Sequence, residues 1–297
     1  MKVSEFLTYL KQRRNYSDLT IQSYESDLLQ FESFLVNDDD GKMVLENDNL
    51  ITVNAVRSWI ITLTQQGLTA RSVNRKISSL KAYFKWVEVN DADFKNPMLK
   101  IVSPKISQRK LVAITNSDIF NLLQQRPKED DLECFRNYLI IEILYSTGIR
   151  QAELLKIEHQ DISVKNKQLR VLGKGNKERV IPIGEKLMSD IMKYIELKYR
   201  FNISGNRLMT TKNGRQLSKY QLYSIVHKIL EGVSVSEHSP HVFRHTCATH
   251  LVDNGANIVN VKNLLGHASL KATEVYTHTS IEQLKKEYRR SFEQEFN

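Results

Sequence analysis

Long apolar runs are missing from this sequence. Nowhere in its 297 residues does an apolar stretch approach the ~20 residues that a membrane-crossing helix needs, so no membrane partner is expected. The greasiest stretch, Leu139–Tyr145, is interrupted by Glu142 and is expected to form a buried helix. Nor is a secretory leader expected, because Glu5 and Lys11 bracket only a short apolar patch in Met1–Leu10. Cysteine is scarce. Cys134 and Cys247 carry no metal-site spacing and offer no disulfide framework, which points to a reducing, cytoplasmic location. There is no internal repeat and no low-complexity tract. The glycine-rich stretch Gly173-Lys174-Gly175-Asn176-Lys177 lacks the Gly-Lys-Ser/Thr ending of a nucleotide-binding loop. His241 and His245 have the spacing of a zinc-protease pair, but Val242 stands where that chemistry needs Glu. No metal and no other cofactor is expected.

What is present fits a globular protein: 41% apolar and 26% charged residues, in a chain long enough for two domains. The 43 basic residues outnumber the 34 acidic ones, for a net charge of +9. Such an excess favours a polyanionic partner, through phosphate neutralisation and counterion release.

Periodicity predicts a mainly α fold: a helical domain over residues 1–95, a basic linker over 96–113, and an α+β domain over 114–297 with a small antiparallel sheet. In the first domain Thr20 is expected to cap a helix whose apolar positions are Ile21, Tyr24, Leu28, Phe31 and Leu35. Asp38-Asp39-Asp40-Gly41 reads as a solvated loop. The Thr69–Val87 segment is two-faced. Val73, Ile77, Leu80, Phe84 and Val87 form one stripe, and Arg71, Arg75, Lys81 and Lys85 lie opposite, as solvated surface or as a face for DNA phosphates. Pro97 and Pro104 interrupt any helix in the linker, which Lys100, Lys105, Arg109 and Lys110 make basic. In the second domain Ser117–Gln125 and Leu132–Ser146 read as helices. Gln168–Leu172 and Arg179–Ile183 read as strands of a hairpin tipped by Lys174, and helix returns after Pro240 with breaks at Gly255 and Gly266.

The chemical signals follow in order. Arg150 comes just after Gly148, at the start of a helix containing Glu153, where unpaired N–H groups and a guanidinium suit an oxyanion; pairing to Glu153 is the plainer reading. His241 and Arg244, three apart after Pro240, share a helix face and can address one anion. Leu264-Leu265-Gly266-His267 leads nine residues on to Tyr276. A lone tyrosine is far more often a packing residue than a nucleophile, so the set matters more than any member.

Arg150, Lys174, His241, Arg244, His267 and Tyr276, taken in order, resemble the active-site series of the tyrosine recombinases, the phage-integrase family. The flanking words match as well: residues 145–154 (YSTGIRQAEL), 171–179 (VLGKGNKER), 241–250 (HVFRHTCATH) and 265–269 (LGHAS), with Tyr24, Asp27, Leu28 and Phe31 matching the helix that opens the family's core-binding, SAM-like domain. Within the family the chain is most similar to the Xer recombinases. Lys271, Glu25 and Ser26 depart from common family residues, which bears on the DNA site read and not on the chemistry.

The resemblance implies a site-specific recombinase acting on double-stranded DNA without metal or ATP, through a 3′-phosphotyrosine and a Holliday junction. Such an enzyme would serve chromosome dimer resolution or the integration and excision of a mobile element. Tyr276 would be the nucleophile, Arg150 and Arg244 would bind the phosphate, His241 and His267 would assist, and Lys174 would protonate the leaving oxygen. Ile281, Leu284, Tyr288, Phe292 and Phe296 form an apolar series at helical spacing, either packed on their own domain or docked on a neighbour in a tetramer of identical or related protomers. The rival readings are a type IB topoisomerase and a non-catalytic DNA-binding protein on the same fold.

Overall fold

The computed structural model describes residues 1–36, 47–106, 112–128, 131–173 and 177–266. The chain divides into two compact units, Met1–Gln108 and Arg109–Asn297.

The first unit is helical throughout its described elements: α1 Val3–Gln12, α2 Asp18–Val36, α3 Val53–Gln65 and α4 Ala70–Asn90. Thr69 caps α4, its hydroxyl accepting the Ser72 N–H, and the stripe Val73, Ile77, Leu80, Phe84 and Val87 is buried, as its spacing requires. Phe31 of α2 meets Trp59 of α3 at 4.9 Å between ring centroids, and Phe84 of α4 stacks on Phe94 at 5.8 Å. Rings of this size supply most of the apolar burial in a small helical core. Two expectations need correction. Ser17, not Thr20, begins α2: its hydroxyl accepts the Thr20 N–H and its carbonyl accepts the Ile21 N–H, so Thr20 lies inside the first turn. Nor does α2 open the domain, since α1 precedes it. The Asp38–Gly41 loop lies outside the described residues.

The segment after α4 does not run free along its whole length. Asn96 caps a 3₁₀ turn, Pro97–Lys100, and Met98 and Ile101 are buried in the first unit's core. Asn74 also donates to the Pro104 carbonyl at 2.8 Å.

In the second unit α5 (Asn116–Gln124) leads to α6, Leu132–Thr147, which is buried nearly end to end. A three-stranded antiparallel meander follows the one-turn α7, Gln151–Leu154: β1 Ile162–Ser163, β2 Gln168–Leu172 and β3 Glu178–Pro182. The β2–β3 register pairs Leu169 with Ile181 and Val171 with Arg179, so Arg179 occupies an inward-facing position. Then come α8 Glu185–Arg200, α9 Lys219–Ile229, α10 Pro240–Asp253 and α11 Ile258–Leu265. Helix α6 packs against both α8 and α10. Gly148 ends α6 in the left-handed region at φ +59°, and a Cβ there would collide with Leu265 and crowd Cys247, so only glycine permits α10 and α11 to close on this turn.

Glu142 faces α8 from within α6. Its carboxyl is pushed up to about 7 by burial, a rise the Lys186 ammonium opposes and Asp190 supports. A folded pKa above the unfolded value favours folding at low pH. That contribution is lost as pH rises from about 4.5 through about 7. Glu142→Gln is therefore expected to flatten the fall in melting temperature between pH 5 and pH 8. Melting curves with an unchanged pH slope would contradict it.

Candidate active site

The site grows from the turn that closes α6. Gly148 reverses the chain, Ile149 is buried, and Arg150 stands as the N-terminal cap of α7 in extended conformation. Helix α7 is a single turn, and the Arg150 N–H at its start donates to Glu153 Oε2 at 2.8 Å. The guanidinium makes the pairing that the plainer reading anticipated, with Nη1 on Glu153 Oε1 at 2.8 Å, and Nη2 donates to the Gly266 carbonyl at 2.9 Å. About a third of the Arg150 side chain is still exposed.

Arg244 enters from the first turns of α10. It is buried, and it donates to the Gly148 carbonyl at 2.7 Å and the Leu265 carbonyl at 2.6 Å. Burial, and then the neighbouring charge of Arg150, lower its pKa to about 10, which leaves it charged at neutral pH. The two arginines thus address successive carbonyls at one helix end, Leu265 and Gly266. His241, one turn earlier on α10, is exposed. Cys247 is fully buried beneath the turn, and burial pushes its thiol up to about 12, so it offers no nucleophile at neutral pH.

Two residues outside the expected set join this cluster. Glu153, anticipated only as a partner for Arg150, also takes a two-pronged contact from Arg179, with Nη1 to Oε1 at 3.0 Å and Nη2 to Oε2 at 2.8 Å. These hydrogen bonds outweigh the burial that would otherwise raise its pKa, and the carboxyl is held below its ordinary value. Arg179 was absent from the sequence-derived set. The signal for it is the inward register of β3 opposite Val171, where an apolar residue is the usual occupant.

Lys174, His267 and Tyr276 lie outside the described residues, as does the apolar series from Ile281 to Phe296. Gly173 and Lys177, which flank the Lys174 segment, are joined by an N–H to carbonyl bond of 2.8 Å. His245 is half-buried, and no three His, Cys, Asp or Glu side chains gather as metal ligands among the described residues. In the first unit Arg71, Arg75, Lys81 and Lys85 are all exposed, but the face is not uniformly free. Arg75 pairs with the buried Asp27, which also accepts from Lys76 at 2.9 Å and Ser79 at 2.7 Å, and Lys85 pairs with Glu88 at 2.6 Å. No helix among the described residues is long and apolar enough to cross a membrane.

Comparison with known proteins covers both units. Residues 113–283 match the Phage integrase family, and residues 3–89 match the Phage integrase, N-terminal SAM-like domain. Tyrosine recombinase XerC of Staphylococcus aureus (strain MRSA252) is 35% identical over 285 residues, covering 95% of this chain and 93% of the relative. XerC of Chlorobaculum parvum is 30% identical over 308 residues, covering 95% and 91%. The crystal structure of the site-specific recombinase XerH bound to difH substrate, a pre-cleavage complex, shares the fold at a TM-score of 0.68. It is 22% identical, with 96% of this chain and 84% of that one covered. A transposon integrase in complex with transposon right end DNA shares it at 0.70, 20% identical, over 96% and 99%. A paired-arginine site on this fold, two family matches and relatives of 30% identity or more along nearly the whole chain lead to one conclusion: the chain belongs to the phage integrase family and is a Xer-like tyrosine recombinase, an enzyme that cleaves and rejoins DNA.

Proposed function

We propose that the chain exchanges strands between two copies of one DNA site, with Arg150 and Arg244 holding the scissile phosphate and Tyr276 attacking it. The observation that carries the reading is the convergence of Arg150 and Arg244, from separate elements, at the end of α11. Attack on phosphorus adds negative charge to the non-bridging oxygens, and two guanidinium groups offer paired donors to that charge. Tyr276 Oη forms the new bond to phosphorus and gives its proton to His241, while the bond to the 5′-oxygen breaks and Lys174 supplies the proton that oxygen needs. His267 donates to a non-bridging oxygen. A 3′-phosphotyrosine and a free 5′-hydroxyl result. The ester keeps the free energy of the broken bond, so a partner strand's 5′-hydroxyl reverses the step without ATP.

The DNA-bound structures of relatives support DNA recombination sites as partners, and in this reading the setting is cytoplasmic. In this reading the 1–95 domain is the core-binding domain, 96–113 the linker, and 114–297 the catalytic domain. The apolar series Ile281–Phe296 docks on a neighbouring protomer and builds a tetramer on two duplexes. The test uses the chain's own site, recovered by covalent trapping on fragmented DNA and sequencing. The full chain is expected to resolve a four-way junction made from that site into recombinant duplexes. Deletion of Ile281–Asn297 is expected to spare half-site binding and to abolish most resolution. Relaxation of supercoiled DNA with no junction resolution would instead favour a topoisomerase.

The first unit supplies a further expectation. Arg75 is half-exposed and oriented by Asp27, which keeps Lys76 and Ser79 as partners when Arg75 is truncated. Arg75→Ala is therefore expected to fold normally, to weaken site binding, and to reduce the salt slope of log Kd by about 1 for one lost phosphate contact. An unchanged slope would remove Arg75 from the DNA interface.

A further inference from the structure

Helix α11 ends in an unusual crowd of donors. The backbone N–H of Gly266 serves the Lys262 and Asn263 carbonyls, and three arginines from three other elements serve the next carbonyls in order. Arg179 Nε donates to Leu264 at 3.0 Å, Arg244 to Leu265 at 2.6 Å and Arg150 to Gly266 at 2.9 Å. Gly266 adopts φ +66°, and a Cβ there would sit 3.2 Å from Arg179 Nη1, so the turn and this guanidinium are fitted to one another. The helix end has a partial negative charge that favours such neighbours, yet three buried or half-buried cations exceed what it can balance.

The only carboxylate hydrogen-bonded to these guanidinium groups among the described residues is Glu153. It is buried, as is Arg179, and contacts both Arg150 and Arg179. The distribution of charge on it decides how Arg150 behaves. With Arg179 forked across both oxygens, the carboxylate is already neutralised, and Arg150 can turn its charge toward a phosphate. With Arg179 removed, the same carboxylate has Arg150 as its one remaining guanidinium partner and competes with phosphate for it.

We propose that Arg179 is a positioning residue for DNA cleavage: by neutralising Glu153 it releases the charge of Arg150 to the scissile phosphate. The proposal rests on the reading of Arg150 as a phosphate ligand. Among the described residues Arg179 bonds to Glu153 and to the Leu264 carbonyl, so its part is to act through Glu153. It acts from the inner face of β3, five residues along the chain from Lys174, and through Leu264, three residues before His267.

The experiment is single-turnover cleavage of a nicked suicide duplex bearing the chain's own site, with half-site Kd and melting temperature measured for every variant. Arg179→Gln is expected to cleave roughly 10–100-fold more slowly, the usual range for a residue that supports a ligand at one remove. Adding Glu153→Gln removes the competing carboxylate and is expected to restore at least fivefold of that loss. Arg179→Lys keeps the charge and is expected to stay within about fivefold of the parent. A residue that mattered only for packing would fail as lysine and would not be rescued by Glu153→Gln, and either result overturns the proposal. So does a folded Arg179→Gln that cleaves at the parental rate. Should Arg179→Gln not fold, Arg179→Lys and Arg179→Gln/Glu153→Gln carry the test: parental-range cleavage by both supports it, and a loss in either as deep as that of Arg150→Ala overturns it. Arg150→Ala also separates the two levels, since its cleaving normally would sink the phosphate assignment itself.

Discussion

Tyr276→Phe is expected to bind its DNA site with the affinity of the parent chain and to form no covalent adduct with it. The substitution removes one oxygen, which is the atom the proposed reaction requires, and leaves the ring. Loss of the nucleophile in a covalent mechanism costs roughly 10⁴–10⁶-fold in rate, which places cleavage below detection. Binding survives because affinity for DNA comes from phosphate contacts spread over many basic side chains and not from the attacking group. Denaturing electrophoresis after incubation with a nicked suicide duplex reads the adduct, and retarded migration in native gels reads the binding. An adduct from Tyr276→Phe at more than a trace would move the nucleophile elsewhere in the chain. Loss of binding together with cleavage would indicate that the variant is damaged more broadly, and the adduct would then be sought with parental protein mapped by peptide.

The second large effect concerns Lys174. An alkoxide leaves phosphorus poorly, and a general acid placed at that oxygen is worth roughly 10²–10⁴-fold. Lys174→Ala is expected to lose a factor in that range on ordinary DNA. A substrate with sulfur in place of the bridging 5′-oxygen changes the demand, because a thiolate departs without a proton. On that substrate Lys174→Ala is expected to recover most of its rate, whereas Arg150→Ala and Arg244→Ala, whose residues serve the non-bridging oxygens in the proposed reaction, are expected to remain slow. Equal impairment of Lys174→Ala on both substrates would make its role electrostatic or structural and would turn attention to His241 as the acid.

Much of the architecture was legible in the sequence, and the reasons are specific. The α4 stripe is strict over five positions, and a long helix with a single apolar face has one way to bury it. The β2–β3 pairing was readable because alternation flanks a glycine-rich stretch of sequence there. The start of α2 was not, because Ser17 and Thr20 both carry hydroxyls able to cap, and their mutual 2.8 Å contact shows how close the competition is. The two-residue β1 is held by pairing with β2 and not by its own pattern, so no local signal announces it.

The site divides in the same way. Arg150, His241 and Arg244 stand out through their flanking words. The roles of Glu153 and Arg179 depend on a contact across 26 residues of chain, in a strand position where alternation alone predicts an apolar residue. Even Arg150 was half legible: the partner, Glu153, was visible at i+3, but the carbonyl of Gly266 lies 116 residues on. Charge balance inside a buried cluster is a tertiary property, and no window of sequence contains it.

The central claim is that this chain breaks DNA by joining its 3′-phosphate to Tyr276. The most direct measurement is digestion of the trapped protein–DNA complex, followed by mass spectrometry of the peptide that retains nucleotide. The account predicts one modified peptide, containing Val275-Tyr276-Thr277, with the phosphate linked to Tyr276 and a free 5′-hydroxyl on the released strand. A linkage to any other residue, or a 5′-phosphate on the protein, would contradict it.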